Sequence, residues 1–69
     1  MSFEVVVNGR VERLPAQPAT VADLVRALNL AGKRIAVERN GEIVPKGLYG
    51  ETAVSAADRF EIVAAVGGG

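Results

Sequence analysis

The sequence contains no cysteine and no histidine. Without cysteine there are no disulfide staples, no thiolate metal ligands and no thiol nucleophile. Without histidine the usual general base near neutral pH and the commonest metal ligand are both missing. Asp, Glu, Lys, Arg and one Tyr remain for acid–base work, and nothing sets them out as an enzyme would, so no catalytic residue and no metal site is expected. Aromatic residues are scarce, being only Phe3, Tyr49 and Phe60. Val, Ile, Leu and Ala must therefore build the core, and the abundance of β-branched Val leans towards strands. Neither sign of charge is in excess, eight basic residues against eight acidic, which argues against a nucleic-acid partner. No apolar run approaches the ~18–20 residues of a membrane span, and no basic-then-apolar leader opens the chain. No membrane association and a cytoplasmic compartment are the expectations.

What is present fits one domain of 69 residues, with the modest stability of a small core. Phe3, Val5 and Val7 alternate with Ser2, Glu4 and Val6, the period of a strand. Asn8-Gly9 follows, the pair best able to take positive φ at both centres of a type I′ turn. Arg10 to Leu14 returns as a second strand, closed off by Pro15 and Pro18. Thr20 reads as a helix N-cap, with Asp23 in the acidic position of a capping box. Val21, Leu24, Val25 and Leu28 make one apolar stripe on a helix of 8–10 residues, which Asn29 to Gly32 ends. A third strand over Arg34 to Arg39, a second Asn-Gly turn at Asn40-Gly41 and a short fourth strand from Glu42 to Val44 follow, stopped by Pro45. Residues 46–57 are irregular, with a brief strand near Thr52 to Val54. A last strand over Arg59 to Val66 is apolar on both faces towards its end, as a central strand would be. The first and last strands have the longest apolar runs, and if they pair in parallel the chain has a β-grasp arrangement. The fold class expected is α+β: a mixed sheet of four to five strands with one main helix packed on one face.

The feature that stands apart is Gly67-Gly68-Gly69, directly after the last strand, where three glycines predict a flexible tail. A glycine run is also what a frayed terminus looks like, but here no polar spacer separates it from the core. A carboxylate on Gly69 can be activated by attack on the α-phosphate of ATP. The acyl-adenylate can then accept sulfur. Glycine suits a narrow partner cleft because it lacks Cβ and takes backbone angles closed to other residues.

The stretch Ile35-Ala36-Val37-Glu38-Arg39-Asn40-Gly41-Glu42-Ile43-Val44-Pro45-Lys46 resembles a characteristic segment of thiamine-biosynthesis sulfur carrier proteins. The ending from Phe60 to Gly69 is similar to their glycine terminus. The resemblance runs over essentially the whole chain, with departures at Lys46, where Arg is more usual, at Gly47-Leu48-Tyr49, and at Ala57-Asp58 in place of Gly-Asp. It implies a ubiquitin-like β-grasp sulfur carrier with no bound cofactor. Gly69 would be adenylated by an E1-like enzyme that uses ATP, then converted to a thiocarboxylate with sulfur from a persulfide donor. The sulfur would pass to thiazole synthase, with Gly67 and Gly68 entering the partners' active sites. The competing readings are the small sulfur-carrying subunit of molybdopterin synthase, a ubiquitin-like binding module with an incidental tail, and a small enzyme.

If the helix covers one sheet face, alternation leaves Val6, Ala36, Val63 and Ala65 on the other. Four apolar side chains on a solvent face mark an interface, here the expected docking face for the activating enzyme and the synthase, with Arg59 and Glu61 at its rim. Asp58 is expected to cap the turn into the last strand. The two Asn-Gly pairs read as turns, and Lys33, Arg34, Arg39 and Lys46 as solvated surface. The free protein is expected to be a monomer.

Overall fold

The computed structural model describes residues 2–64. β1 (Phe3–Val7) and β2 (Arg10–Leu14) form the first hairpin, and α1 (Val21–Ala27) follows. β3 (Ile35–Arg39) and β4 (Glu42–Val44) form the second hairpin, then a 3-10 turn (Lys46–Leu48) leads towards β5 (Arg59–Ala64). The sheet order is β2-β1-β5-β3-β4, with β1 parallel to β5 and all other neighbours antiparallel. The last strand is thus central and paired in parallel with the first, as the length of its apolar run predicts. The β-grasp arrangement follows.

Both Asn-Gly pairs adopt the expected left-handed turn, with φ of 54° and 77° at Asn8 and Gly9 and of 53° and 87° at Asn40 and Gly41. The helix has seven residues, shorter than expected, because its C-terminal lock falls early. Asn29 turns left-handed (φ 62°), its N–H donates to the Arg26 carbonyl, and the Leu30 N–H donates back to the Val25 carbonyl. That is a Schellman closure, in which asparagine stands in for glycine. At the other end the Thr20 hydroxyl accepts from the Asp23 N–H. The Asp23 carboxylate does not complete the capping box but pairs with Arg26. The Thr20 backbone meanwhile forms an isolated antiparallel bridge with Ala53. That bridge replaces the strand expected near Thr52 to Val54, and the loop instead supplies caps. The carbonyls of Thr52 and Tyr49 accept from Val21 and Ala22 N–H, satisfying donors that a helix leaves unpaired in its first turn.

The core lies between α1 and one sheet face. Val5, Val7, Val37, Phe60 and Ile62 from the strands meet Val21, Leu24 and Val25 from the helix, with Leu14, Val44 and Val54 closing the edges. Leu28 is only partly buried against this cluster. β3 begins at Ile35, one residue later than the pattern suggests, since Arg34 is exposed at the sheet's end.

Candidate functional site: the open sheet face and the end of β5

Strand register decides which residues share the face that the helix leaves open. Ala36 lies opposite Val63 and Glu38 opposite Glu61 across β3 and β5. Val6 lies beside Arg59 across β1 and β5. Val6, Ala36, Val63, Arg59 and Glu61 therefore sit on one surface, as alternation predicts. Ala65, Gly67, Gly68 and Gly69 lie outside the described residues.

The same register adds two residues that the sequence reading missed. Val11 is paired opposite Val6, and Ile43 opposite Glu38. Both are exposed, at 65% and 64%, like Val63 at 58%. The signal was available: a two-residue Asn-Gly loop fixes the pairing, so Val7 must face Arg10 and Val6 must face Val11. Glu38 and Glu61 directly opposite one another are an arrangement that cross-strand pairing disfavours. Among the described residues neither carboxylate has an ion-pair partner. The face is thus an apolar band with an unneutralised acidic pair beside it.

β5 is held by side chains from both hairpin turns. The Asn8 side chain donates to the Ile62 carbonyl at 2.9 Å and accepts from the Ile62 N–H at 2.7 Å. It prolongs the β1–β5 pairing, whose Cα partners are only Val6–Arg59 and Val7–Phe60. On the other side Asn40 accepts from the Arg59 N–H and donates to Asp58. Asp58, 4% exposed, also accepts from the Ser55 N–H and from Arg39 Nε. It caps the turn into β5, as expected. Arg39 is not free surface, as its sequence context suggests, but the partner of this carboxylate at 2.9 Å. The asparagines read only as turn formers because turn propensity explains them fully; nothing local reveals that each also reaches a strand far along the chain.

Asn8→Ala should therefore cost about 2 kcal/mol, from two lost hydrogen bonds and an unfavourable left-handed alanine. Asn8→Gly keeps the turn and isolates the hydrogen bonds, at a cost of about 1 kcal/mol. Urea melts check both, and a glycine variant as stable as the parent would show that the clamp contributes nothing.

The described residues include no group of three or more Asp and Glu side chains placed to hold a metal, and no helix long and apolar enough to cross a membrane. The surface can offer shape, apolar area and charge, and in sequence the three glycines follow the end of β5 after two residues. A model of the ThiS family matches residues 3–69, three terminal glycines included. The chain belongs to the ThiS family.

Relatives agree. The sulfur carrier protein ThiS of Bacillus subtilis is 38% identical over 63 residues, spanning 91% of this chain and 96% of that protein. A thiazole synthase of Paramagnetospirillum magneticum is 46% identical over 67 residues, 97% of this chain. Of that synthase, however, the present chain spans only 20%. A crystal structure of the thiamine biosynthesis protein ThiS from Geobacter metallireducens superposes with a TM-score of 0.81 at 29% identity, covering 97% of this chain and all of the other. This is a ThiS-family sulfur carrier domain of thiamine biosynthesis, with a ubiquitin-like β-grasp fold. That membership does not favour the molybdopterin-synthase or binding-module alternatives.

Proposed function

We propose that Gly69 carries the sulfur as a thiocarboxylate and delivers it to thiazole synthase in the cytoplasm. The observation that carries this reading is a family match that continues past the end of β5 through Gly67, Gly68 and Gly69. In the first step a carboxylate oxygen of Gly69 attacks the α-phosphorus of ATP in an E1-like enzyme. The bond to the β,γ-phosphates breaks, and pyrophosphate leaves. The outer sulfur of a persulfide then attacks the acyl carbon, and AMP leaves with the C–O bonding pair. A second thiol cleaves the sulfur–sulfur bond of the acyl persulfide, is itself oxidised to a disulfide, and frees the thiocarboxylate. None of these steps calls on a side chain of this chain, which suits a sequence without Cys or His.

Thiazole synthase as recipient is supported by the relative in which a ThiS-like region makes up a fifth of a thiazole synthase. One chain holding both would keep carrier and synthase at high effective concentration. The docking surface in this reading is the open face: Val6, Ala36 and Val63, to which the alternation of the sequence adds Ala65, with Arg59 and Glu61 at the rim. Val11 and Ile43 enlarge its apolar area, and the Glu38–Glu61 pair supplies a place for a partner's basic group.

The testing experiment is the intact mass of the protein after incubation with activating enzyme, ATP and a persulfide source. A gain equal to exchanging one oxygen for one sulfur is expected; no gain with an enzyme of demonstrated activity rules the carrier chemistry out. Docking is tested with Val63→Asp, a better site than Val6 because Val63 is well exposed while Val6 is half-buried. Binding to the partner should weaken about a hundredfold, since a charge is forced into an apolar contact. The thermal melt should move little. Unchanged affinity would remove the face from the interface.

A further inference from the structure

Half of the chain's cations meet in one place. Arg26, Lys33, Arg34 and Lys46, four of eight basic residues, line a cleft of about 460 Å³ that no acidic side chain lines with them. Val25 and Leu30 from the helix end, Ile35 from β3 and Tyr49 from the loop give it an apolar wall. Arg26 pairs with Asp23 at 2.9 Å. Among the described residues Lys33, Arg34 and Lys46 have no ion pair. On a domain of zero formal charge, such segregation creates a local positive potential.

The cleft also lies next to the end of β5. Ile35, part of its lining, is the Cα partner of Ala64, the last described residue of that strand. In sequence Gly67 follows Ala64 by only three residues, so an enzyme that takes the tail is held by the chain close to this end of the sheet and to the cleft.

We propose that the cleft is a second docking site, which receives an acidic segment bearing an apolar anchor from the enzyme that takes the tail. The inference rests on the carrier reading above. Carboxylates of the segment meet Lys33, Arg34 and Lys46, while its apolar side chain packs on Val25, Leu30, Ile35 and Tyr49. The open face offers the opposite charge through Glu38 and Glu61, so a partner matching both surfaces is fixed in orientation around the tail. Charges of this exposed kind act mainly on the encounter rate and its salt dependence.

The test is the double variant Lys33→Glu/Arg34→Glu, titrated separately against the E1-like activating enzyme and thiazole synthase at low and high salt. Both residues are exposed, and the melting curve is the control for the fold. Affinity for at least one enzyme should fall about tenfold or more at low salt, and the salt dependence seen with the parent should flatten. Lys46→Glu, in the 3-10 turn that also lines the cleft, should act in the same direction and covers the case in which the double variant melts early. Unchanged affinity for both enzymes overturns the proposal. Intact mass at saturating activating enzyme keeps the two readings apart. A variant that binds weakly yet is fully converted leaves the carrier chemistry standing, whereas a parent protein that is never converted sinks that chemistry whatever the affinities.

Discussion

Deleting Gly69 is expected to abolish sulfur loading while leaving the melting temperature unchanged. The shortened protein still ends in a carboxylate, now on Gly68, so the chemistry is not removed but displaced. One extended residue spans ~3.3–3.6 Å, and a misplacement of even 1 Å from the productive geometry can cost about a hundredfold in rate. A tail held by its docked domain cannot slide to make up several ångströms without giving up contacts at the sheet. The mass gain seen with the parent protein should therefore disappear within the same incubation. Among the described residues none of the core lies beyond Ile62, and Gly69 has no side chain to bury, so the fold should keep its stability. A truncated protein that gains sulfur at the parental rate would show that the reach of the tail is not what positions the carbonyl, and would return the glycines to an incidental role.

How much of this could be seen in the sequence depends on the range of the interaction. The strands, the two asparagine–glycine turns and the helix stripe are local patterns, and each is legible because its period or turn chemistry lies within a few residues. Even the central position of β5 could be argued from its apolar run. The open face followed from alternation for Val6, Ala36 and Val63, where the phase of each strand was clear. It was incomplete for Val11 and Ile43, because β2 and β4 are edge strands rich in charge and their phase is set by pairing. Interactions between distant residues were invisible. Nothing near Asn8 points to Ile62, and nothing near Arg39 points to Asp58. The basic cleft draws Arg26, Lys33, Arg34 and Lys46 from three separate segments, each of which looks like ordinary solvated surface when read alone. The brief strand expected near Thr52 to Val54 shrinks to a single bridge at Ala53, because the loop spends the carbonyls of Tyr49 and Thr52 on the helix N-terminus. Only the folded chain reveals that use.

Asp58→Ala is expected to destabilise the domain more than any surface substitution, by about 3 kcal/mol, the scale of removing a buried carboxylate that accepts three hydrogen bonds, one of them from a partly exposed arginine. The carboxylate accepts from the Ser55 N–H, the Asn40 side chain and Arg39, and alanine leaves all three donors without their partner. A chain of this size carries on the order of 3–10 kcal/mol in total, so the melting point should drop by on the order of 15 °C. The effect has a pH signature. Burial alone would push the Asp58 carboxyl up, but hydrogen bonds from Asn40, Ser55 and Arg39, together with the Arg39 charge, outweigh it and hold the pKa below the ordinary 3.8. A carboxyl depressed in the folded state binds fewer protons there than in the unfolded chain, so its contribution is present above the unfolded pKa of about 4. It is lost as pH falls through the lower native value. Urea melts of the parent should thus show stability falling on acidification below about pH 4, and Asp58→Asn should flatten that limb while keeping the side chain's size. Because this carboxylate closes the turn from which β5 starts, the loss should extend to the strand that leads to the glycines, and amide exchange at Phe60 and Ile62 should quicken. Equal acid limbs in parent and Asn variant would assign the acid sensitivity to other carboxylates and leave Asp58 a structural role without electrostatic weight.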